Sequence, residues 1–341
     1  MKEFQHYDVI IIGAGPAGLE CAFQLRDTKL KVLLIDRKEV IGPKYCAGGV
    51  SDEESIVDVP ESLVKRFDTQ YSVFPDKKYA VKLTNQFKCF EREDFGQYQL
   101  GKLKGVKNIT VLNPCLVKKI HKDHIETNKG DFSFKYLVGA DGTSSIVRQF
   151  LGLEVKACMG LYYNIEVVSD KLISFYDPAT IRTSYIWEFP HRTHNNVGIY
   201  FDPKLITSQE AKKQLHNYCN RVGYKFDEKK LNGALIGYLY KGHIFGESNN
   251  FFLIGDAGGF ASRLHGGGMS NGMTSGRDVA KTILDPEYSA TGIQLVLDQK
   301  AREDKMLDRV EKLPNWLIKF MLKTSVVFMN HPKLRKLIKV I

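Results

Sequence analysis

The chain has 341 residues, of which 43% are hydrophobic and 26% are charged. This balance is typical of a folded globular protein and excludes a disordered chain, a collagen and a coiled coil. The length predicts two domains or one large α/β body. Lysine and arginine outnumber the acids by 49 to 39, for a formal net charge of +10. Such an excess indicates a nucleic acid, an anionic membrane surface or no specific partner.

The six cysteines are scattered, with no CxxC pair and no zinc-knuckle spacing. This distribution predicts reduced thiols and no metal site. The first residues lead directly into a strand, without the segments of a signal peptide. No uncharged apolar run reaches the roughly 18 residues of a membrane-spanning helix. We therefore expect a cytoplasmic protein that is peripheral on a membrane.

The chain begins with the pattern of a βαβ unit. Residues 8–12 form a β-branched apolar run typical of a buried parallel strand. A glycine-rich turn follows, then helical spacing over residues 19–25. A second strand over residues 31–35 ends in Asp36. These dimensions match a dinucleotide-binding half.

Residues 37–100 are mixed in pattern, and the elements beyond them are clearer. The pattern predicts short strands over 109–134 with a hairpin turn at 128–130, a buried strand at 136–140, alternating antiparallel strands between about 155 and 240, a helix over 208–222, a buried strand at 251–254, a helix to about 284, and a helical tail from about 291 with breaks at Pro314 and Pro332.

Gly13, Gly15 and Gly18 form a GxGxxG motif between the first strand and the first helix. Glycines there allow a tight turn and close approach to a pyrophosphate, and the helix N-terminus supplies N–H donors. Asp36 is placed to accept ribose hydroxyls. The candidate cofactor-binding residues are therefore Gly13, Gly15, Pro16, Ala17, Gly18, Asp36 and Arg37. The alternative is a glycine-rich turn without a ligand, and the motif alone does not separate NAD from FAD.

Two further motifs follow later strands: VGADGTSSIVR over residues 138–148 and FLIGDAG over residues 252–258. In this order, the three motifs resemble those of the FAD-dependent hydroxylase-like flavoproteins. The resemblance implies that Asp256 binds the ribityl chain of FAD, that Arg92 contacts the pyrophosphate and that the backbone at Leu116 meets the adenine. For Arg92 the alternative is an exposed surface arginine.

A second GxGxxG after a strand is absent from the sequence, so we predict a single dinucleotide site. The disulfide reductases with two such sites are thereby excluded. Electrons would reach the flavin from transiently bound NADPH or from a reduced electron carrier, and the sequence does not identify which.

Local matches indicate one branch of these flavoproteins. YIWEFP at residues 185–190 resembles the YxWxFP motif of the geranylgeranyl reductase family, YCAGGVS at residues 45–51 resembles its cysteine-bearing loop, and residues 255–269 resemble its GDAAG segment. The similarity extends over roughly residues 5–290. It implies that the flavin is also contacted by Cys46, Ala47, Gly49, Gly267, Gly268 and Met269.

The chain departs from the family pattern at three positions. It has Arg263 where the family usually has proline, Gly267 where it usually has glutamate, and His191 where a lysine often follows the FP pair. These departures lie near the expected substrate and flavin surfaces. A lone histidine, such as His191 or His265, is more often a structural hydrogen-bonding residue than an acid.

Tyr185, Trp187 and Phe189 alternate along a strand, so their side chains project from one face. We interpret this face as an apolar wall that binds a polyisoprenoid chain. The alternative is an ordinary packed sheet face. Cys46 is the candidate catalytic residue, either as the acid that donates a proton or as a residue that shapes the pocket. The alternative is an inert, packing cysteine.

A helix N-terminus after residues 266–268 would stabilise the anion that forms at the pyrimidine end of a reduced flavin. The alternative there is a plain helix-entry loop. The predicted activity is FAD-dependent reduction of carbon–carbon double bonds in a prenyl chain on a lipid or related isoprenoid. The alternatives are an FAD-dependent monooxygenase of the aromatic hydroxylase type, an electron-transfer flavoprotein and a non-catalytic FAD-binding module.

The predicted fold is α/β, with a Rossmann-type FAD-binding domain split by an antiparallel-sheet substrate domain and followed by a helical tail. We assign residues 1–75, 100–155 and 245–290 to the FAD-binding domain, residues 76–99 and 156–244 to the substrate domain, and residues 291–341 to the basic helical region.

The positive charge is concentrated in this last region. Residues 312–341 contain seven lysines and arginines and no acid, or +7 of the net +10. Apolar and aromatic residues lie between them, which is typical of an interfacial anchor on an anionic membrane. The alternative is a pair of helices docked on the body with solvated lysines. We found no nucleic-acid motif, so an anionic membrane and a prenylated lipid are the predicted partners, together with an electron-donor protein.

Overall fold

The computed structural model describes residues 4–43, 46–51 and 59–330, and all structural statements below concern those residues. Tyr45 of the cysteine loop lies outside them. So do Pro332 and the last four basic residues of the tail, Lys333, Arg335, Lys336 and Lys339.

The strands in chain order are β1 (Gln5–Ile12), β2 (Val32–Ile35), β3 (Gly49–Val50), β4 (Lys65–Val73), β5 (Lys78–Cys89), β6 (Ile109–Leu112), β7 (Val117–Ile120), β8 (His124–Thr127), β9 (Gly130–Gly139), β10 (Ala157–Ile165), β11 (Leu172–Phe175), β12 (Tyr185–Pro190), β13 (Asn195–Phe201), β14 (Asn232–Gly237), β15 (Ile244–Phe245) and β16 (Phe251–Leu253). The helices are α1 (Pro16–Gln24), α2 (Arg92–Gly101), α3 (Ile146–Phe150), α4 (Pro178–Ile181), α5 (Ser208–Val222), α6 (Met269–Leu284), α7 (Thr291–Val310) and α8 (Asn315–Met329).

The first sheet has the order β15-β16-β9-β1-β2-β6, and β8 and β7 continue from β9 as an antiparallel layer. The pairs β1–β2, β1–β9, β2–β6 and β9–β16 are parallel. Every residue of β2 is buried, as expected for a parallel strand covered on both faces. Helices α1, α6 and α7 pack on one face, and β7 with β8 cover part of the other. The predicted Rossmann-type sheet is confirmed.

The second sheet has the order β14-β10-β13-β12-β11-β4-β5-β3 and is antiparallel except for the β11–β4 pair. Helix α5 covers one face with Ala211, Leu215 and Cys219. Side chains alternate across each strand, so the aromatic residues of β12 lie on the opposite face. The split α/β architecture predicted from the sequence is therefore present.

The predicted domain boundaries need correction in two places. Strand β4 lies in the second sheet, although residues up to 75 were assigned to the FAD-binding domain. Helix α2 lies beside the first sheet's helices, since Phe95 packs with Met273 of α6, although residues up to 99 were assigned to the substrate domain. The chain thus crosses to the second sheet earlier, and returns earlier, than the boundaries proposed.

Helices α7 and α8 form the C-terminal region within the described residues, and the predicted break at Pro314 is confirmed. Ile318 and Val326 of α8 are buried against the body. Arg182 joins the two helices, because its guanidinium donates to the Asn315 Oδ1 at 2.9 Å and to the Glu311 carbonyl at 2.7 Å. Among the described helices, none has the length and apolarity needed to cross a membrane.

The contact between α1 and α6 gives a test of the fold. A Cβ atom at Gly276 would clash with the carbonyl oxygen of Ala17, so the two helices approach at backbone distance. We expect Gly276→Ala to lower the free energy of unfolding by about 2 kcal/mol, because overpacking forces the helices apart. Urea unfolding measures this change.

The matched control is Gly101→Ala at the exposed end of α2, where an added Cβ meets no atom within 4 Å. That substitution is expected to leave stability unchanged or to raise it by about 0.5 kcal/mol, because alanine favours the helix. Equal losses in the two variants would contradict the packing argument.

Candidate functional site

The glycine-rich turn leaves the N-terminus of α1 open. Gly15 precedes the helix in an extended conformation, and a Cβ there would meet no atom within 4 Å. Gly13 has φ of +106°, and Gly18 packs directly on the Gly13 carbonyl, so neither position accommodates a side chain. Pro16 occupies the first turn and lacks an N–H in any case. The free N–H groups at this helix end suit a pyrophosphate.

Asp36, at the end of β2, is held by two backbone N–H groups. Ala14 donates to its Oδ2 and Lys38 to its Oδ1, each at 2.8 Å. A carboxylate accepts about four hydrogen bonds, so capacity remains for ribose hydroxyls. Arg37 is exposed beside it. Leu116 has its N–H and carbonyl bonded to Asn128, so its half-exposed side chain is the part available to an adenine.

Arg92 begins α2 and is only 8% exposed. Its Nη1 donates to the Met269 sulfur at 3.1 Å, which places it beside the N-terminus of α6. Its Nε is buried and has no hydrogen-bond partner among the described residues. A buried guanidinium with an unused N–H suits a phosphate oxygen, since leaving such a donor unpaired is costly. The geometry therefore fits the predicted pyrophosphate contact rather than a surface arginine.

Asp256 lies in a short turn after β16, and α6 begins close to it. A Cβ at Gly268 would lie 2.9 Å from the Asp256 Oδ1, so the acid and the helix start are adjacent. Gly268 precedes α6 without a side-chain cap, and Gly267 donates its N–H to the His265 ring at 3.1 Å. The middle motif supports this loop through Arg148, which donates to the Ala257 carbonyl at 3.0 Å.

The three aromatic residues of β12 share one face, as predicted. The ring centroids of Tyr185 and Trp187 lie 6.3 Å apart, and those of Trp187 and Phe189 lie 6.1 Å apart. Trp187 is 4% exposed, and its indole lies over Gly198 of β13, where a Cβ would clash with it. Ala47 of the cysteine loop packs against this cluster. We call Tyr185, Trp187 and Phe189 the aromatic wall.

The aromatic wall continues in both directions. Phe189 contacts Phe87 at a centroid distance of 4.9 Å. On the other side, Tyr185 lies 6.1 Å from Tyr176, which lies 5.7 Å from Phe74. Phe74 packs with Val326 of α8. An unbroken row of rings therefore links the cysteine loop with α8.

Two tyrosine hydroxyls join the second sheet to the loop before α6. Tyr185 donates to the His265 carbonyl at 2.8 Å, and Tyr200 donates to the Arg263 carbonyl at 2.6 Å. Burial raises the pKa of both phenols, so both remain protonated donors. The Arg263 side chain extends towards α7, where it pairs with Asp308 and Glu311 at 2.7 Å each. Arg263, which departs from the family pattern, thus connects this loop to the C-terminal end of α7.

Cys46 is partly exposed, whereas the other five cysteines are buried. Gly48 donates its N–H to the Cys46 sulfur at 3.4 Å. A Cβ at Gly49 would lie 2.7 Å from the ring of Phe189, so the loop contacts the aromatic wall through its backbone. Burial raises the pKa of four of the remaining thiols, which makes them unreactive; they are Cys21, Cys89, Cys158 and Cys219.

Sequence reasoning missed the partners of this loop. His191 donates to the Ala47 carbonyl at 2.9 Å and lies 2.9 Å from a Glu91 oxygen. His191 therefore contacts the loop's backbone rather than a substrate. Glu91 directly precedes α2, and its position at a helix start was the available signal. The pairing of residues 100 positions apart was not visible in the sequence.

Comparisons with known proteins agree with the fold and with FAD as the cofactor. Residues 7–158 match the family model of pyridine nucleotide-disulphide oxidoreductases, and residues 116–220 match an FAD binding domain model. An uncharacterized protein of Methanosarcina barkeri is 30% identical over 300 residues, which cover 83% of this chain and 76% of that protein. Digeranylgeranylglycerophospholipid reductase 3 of Methanosphaera stadtmanae is 27% identical, over 85% of this chain and 81% of its own.

A geranylgeranyl bacteriochlorophyll reductase-like protein of Thermoplasma acidophilum, known from its crystal structure, has the same fold. It superposes with a TM-score of 0.77 at 18% identity and covers 99% of both chains.

Arg92 offers a direct test of the dinucleotide site. We expect Arg92→Met to weaken FAD binding by a factor of about 10 to 100, the range for losing a charge-assisted hydrogen bond to phosphate. Equilibrium dialysis of the apoprotein with FAD measures it. Arg302→Met, on an exposed position of α7, is the control and should bind FAD as the parent does. Unchanged affinity in Arg92→Met would show that Arg92 does not meet the cofactor.

Proposed function

Because this chain belongs to the geranylgeranyl reductase family of FAD-dependent oxidoreductases, we propose that it reduces carbon–carbon double bonds in the prenyl chain of a lipid or related isoprenoid. The observation that carries this proposal is the row of aromatic rings that ends at the loop of the partly exposed Cys46. Such a row of rings offers apolar contact along its length, which suits a long apolar substrate better than a small polar one.

FAD, when bound and reduced, supplies hydride from its N5 atom. The turn at Gly13–Gly18 and Arg92 would hold its pyrophosphate, Asp36 its adenosine ribose and Asp256 its ribityl chain. Gly267, Gly268 and Met269 would face the pyrimidine end, where the positive end of α6 stabilises negative charge. The residues present therefore fit the cofactor.

The aromatic wall would bind and orient the prenyl chain. Ala47 packs against the buried cluster that contains Trp187, so a double bond held at the wall would be close to Cys46. Large aromatic side chains bury apolar surface and exclude water, which favours one position of the substrate. Packing of Trp187 over Gly198 keeps the wall rigid.

Cys46 would donate the proton that completes saturation. Its thiol is partly exposed, so solvent can return the proton after each turnover. The N–H of Gly48 points to the sulfur and would stabilise the thiolate left behind. The other thiols are buried and are not suited to this role.

Electrons would come from outside the chain, because the sequence has one GxGxxG motif. The electron donor would be either transiently bound NADPH or a reduced carrier protein. The reaction itself needs only the reduced flavin, so the test below uses a chemical reductant.

We further propose that α8 rests on an anionic membrane surface, as a peripheral contact. Trp316, Phe320 and Val327 lie on one stripe of the helix and are 70%, 63% and 48% exposed. The opposite side of α8 packs on the body through Ile318 and Val326. An exposed apolar stripe next to a basic tail is typical of an interfacial helix. The row of rings begins at Phe74, which packs on the buried side of α8, and leads inward towards Cys46.

The reaction is tested anaerobically with the holoenzyme reduced by dithionite. Adding a geranylgeranylated phospholipid should reoxidise the flavin and give a saturated product by mass spectrometry. Cys46→Ser should lower the rate of reoxidation by a factor of about 100, the lower end of the range for general acid catalysis. Cys115→Ser, at a buried position, is the matched control and should keep the parent rate.

Absence of reoxidation with every prenylated lipid would overturn the reductase proposal. Full activity of Cys46→Ser would overturn only the role of the thiol. Rapid oxygen consumption with NADPH and a hydroxylated aromatic product would instead support the monooxygenase alternative.

The membrane contact is tested by replacing Phe320 of α8. Phe320→Glu should reduce co-sedimentation with liposomes containing phosphatidylglycerol at least about ten-fold, because a charge replaces a large apolar side chain at the interface. Val168→Glu, at an apolar residue 52% exposed outside α8, is the control. Equal binding of the parent and Phe320→Glu would refute contact through this stripe.

A further inference from the structure

We propose that His191 is a positioning residue, an imidazolium that bridges the Glu91 carboxylate and the Ala47 carbonyl and so fixes the loop of Cys46 against the aromatic wall. This inference rests on the proposed role of Cys46 in the reaction. It adds a residue pair that acts through the loop rather than on the substrate.

The hydrogen bonds of His191 require two N–H donors. Its ring is 2% exposed, with Nδ1 at 2.9 Å from the Glu91 Oε1 and Nε2 at 2.9 Å from the Ala47 oxygen. Both partners are acceptors, and a neutral imidazole has a single N–H. Only the imidazolium donates to both, so the geometry assigns the charged form.

The surroundings supply the matching negative charge. Burial raises the pKa of Glu91, but the hydrogen bond from His191 and the nearby imidazoles outweigh it and lower that pKa below its usual value. His194 stacks on His191 with a centroid distance of 4.7 Å. Burial lowers the pKa of His194, whose Nδ1 lies 3.3 Å from the same Glu91 oxygen. The result is an ion pair beside the loop, in which the His191 side chain is buried and that of Glu91 is partly exposed.

The ring of His191 also contacts the loop directly. Gly48 has φ of +68°, and a Cβ there would lie 2.6 Å from the His191 Cε1. The Gly48 carbonyl accepts the N–H of Phe90 at 2.9 Å, which closes the other side of the loop. Because Glu91 immediately precedes Arg92, the same ion pair ties the cysteine loop to the helix that carries the predicted phosphate contact.

Cys46 itself reports on the loop. It is the one cysteine of the six that is not buried, so a thiol reagent applied to the folded holoenzyme modifies it first. Labelling by iodoacetamide, followed by intact mass, measures how often the loop opens. The measurement needs no substrate and no turnover.

We expect His191→Phe to be labelled about ten times faster than the parent. Loss of a charge-assisted hydrogen bond raises the fraction of molecules with an opened loop by about this factor. Phenylalanine keeps the ring but has no N–H. His191→Lys should be labelled near the parent rate, because an ammonium donates to both acceptors. His124→Phe is the matched control, since it removes one ring of a separate stacked histidine pair on β8 of the first sheet, and should match the parent.

Glu91→Gln keeps the His191 ring and removes only the counter-charge, so it should be labelled faster than the parent even if His191→Phe folds poorly. FAD absorbance and the thermal midpoint verify that each variant is folded. Parent-like labelling of both His191→Phe and Glu91→Gln would overturn the proposal, as would failure of His191→Lys to restore slow labelling. An enzyme inactive on prenyl lipids would refute the proposed function. The labelling rates would still test the role of His191, because they need no substrate.

Discussion

The site depends on the junction where the second sheet meets the loop before α6. Tyr185 and Tyr200 belong to neighbouring strands, and their hydroxyls donate to carbonyls of that loop, His265 and Arg263. Buried phenols donate hydrogen bonds to these carbonyls without introducing charge. The second sheet and the loop therefore pack together without leaving these buried carbonyls unpaired. This junction sets the distance between the aromatic wall on one unit and the dinucleotide turn on the other. Neither unit forms the site alone.

Sequence patterns predicted the first sheet and its dinucleotide turn better than the second sheet. The βαβ unit around Gly13–Gly18 is local, because three glycines, an apolar strand and Asp36 lie within a short segment. Strand β4 was missed because polar residues occupy most of it and its parallel partner β11 pairs Gln70 with Leu172. Such long-range pairing leaves no local signal. The aromatic wall was predicted from alternation, but its continuation through Tyr176 and Phe74 required the fold to bring three strands together.

The basic tail acquires a more specific meaning in the structure. Two of its seven cationic side chains, Lys319 and Lys323, pair with Asp76 in the turn between β4 and β5. These two ion pairs hold α8 against the rest of the protein, which agrees with the alternative prediction of a docked helix pair. The outer stripe is instead apolar, with Trp316 and Phe320 exposed. Docking uses Ile318, Val326 and the two lysines, which flank the stripe at i+3 from Trp316 and Phe320, and the stripe itself stays exposed.

Two of the three departures from the family pattern, Arg263 and His191, have a similar physical role. Arg263 pairs with Asp308 of α7 and with Glu311 just after that helix, and His191 contacts Glu91 and a loop carbonyl. Both side chains act behind the surface that a substrate would touch. The wall itself keeps its three aromatic residues. Substitutions of this kind change how firmly a loop is held, and therefore the rigidity with which the groups on it are positioned.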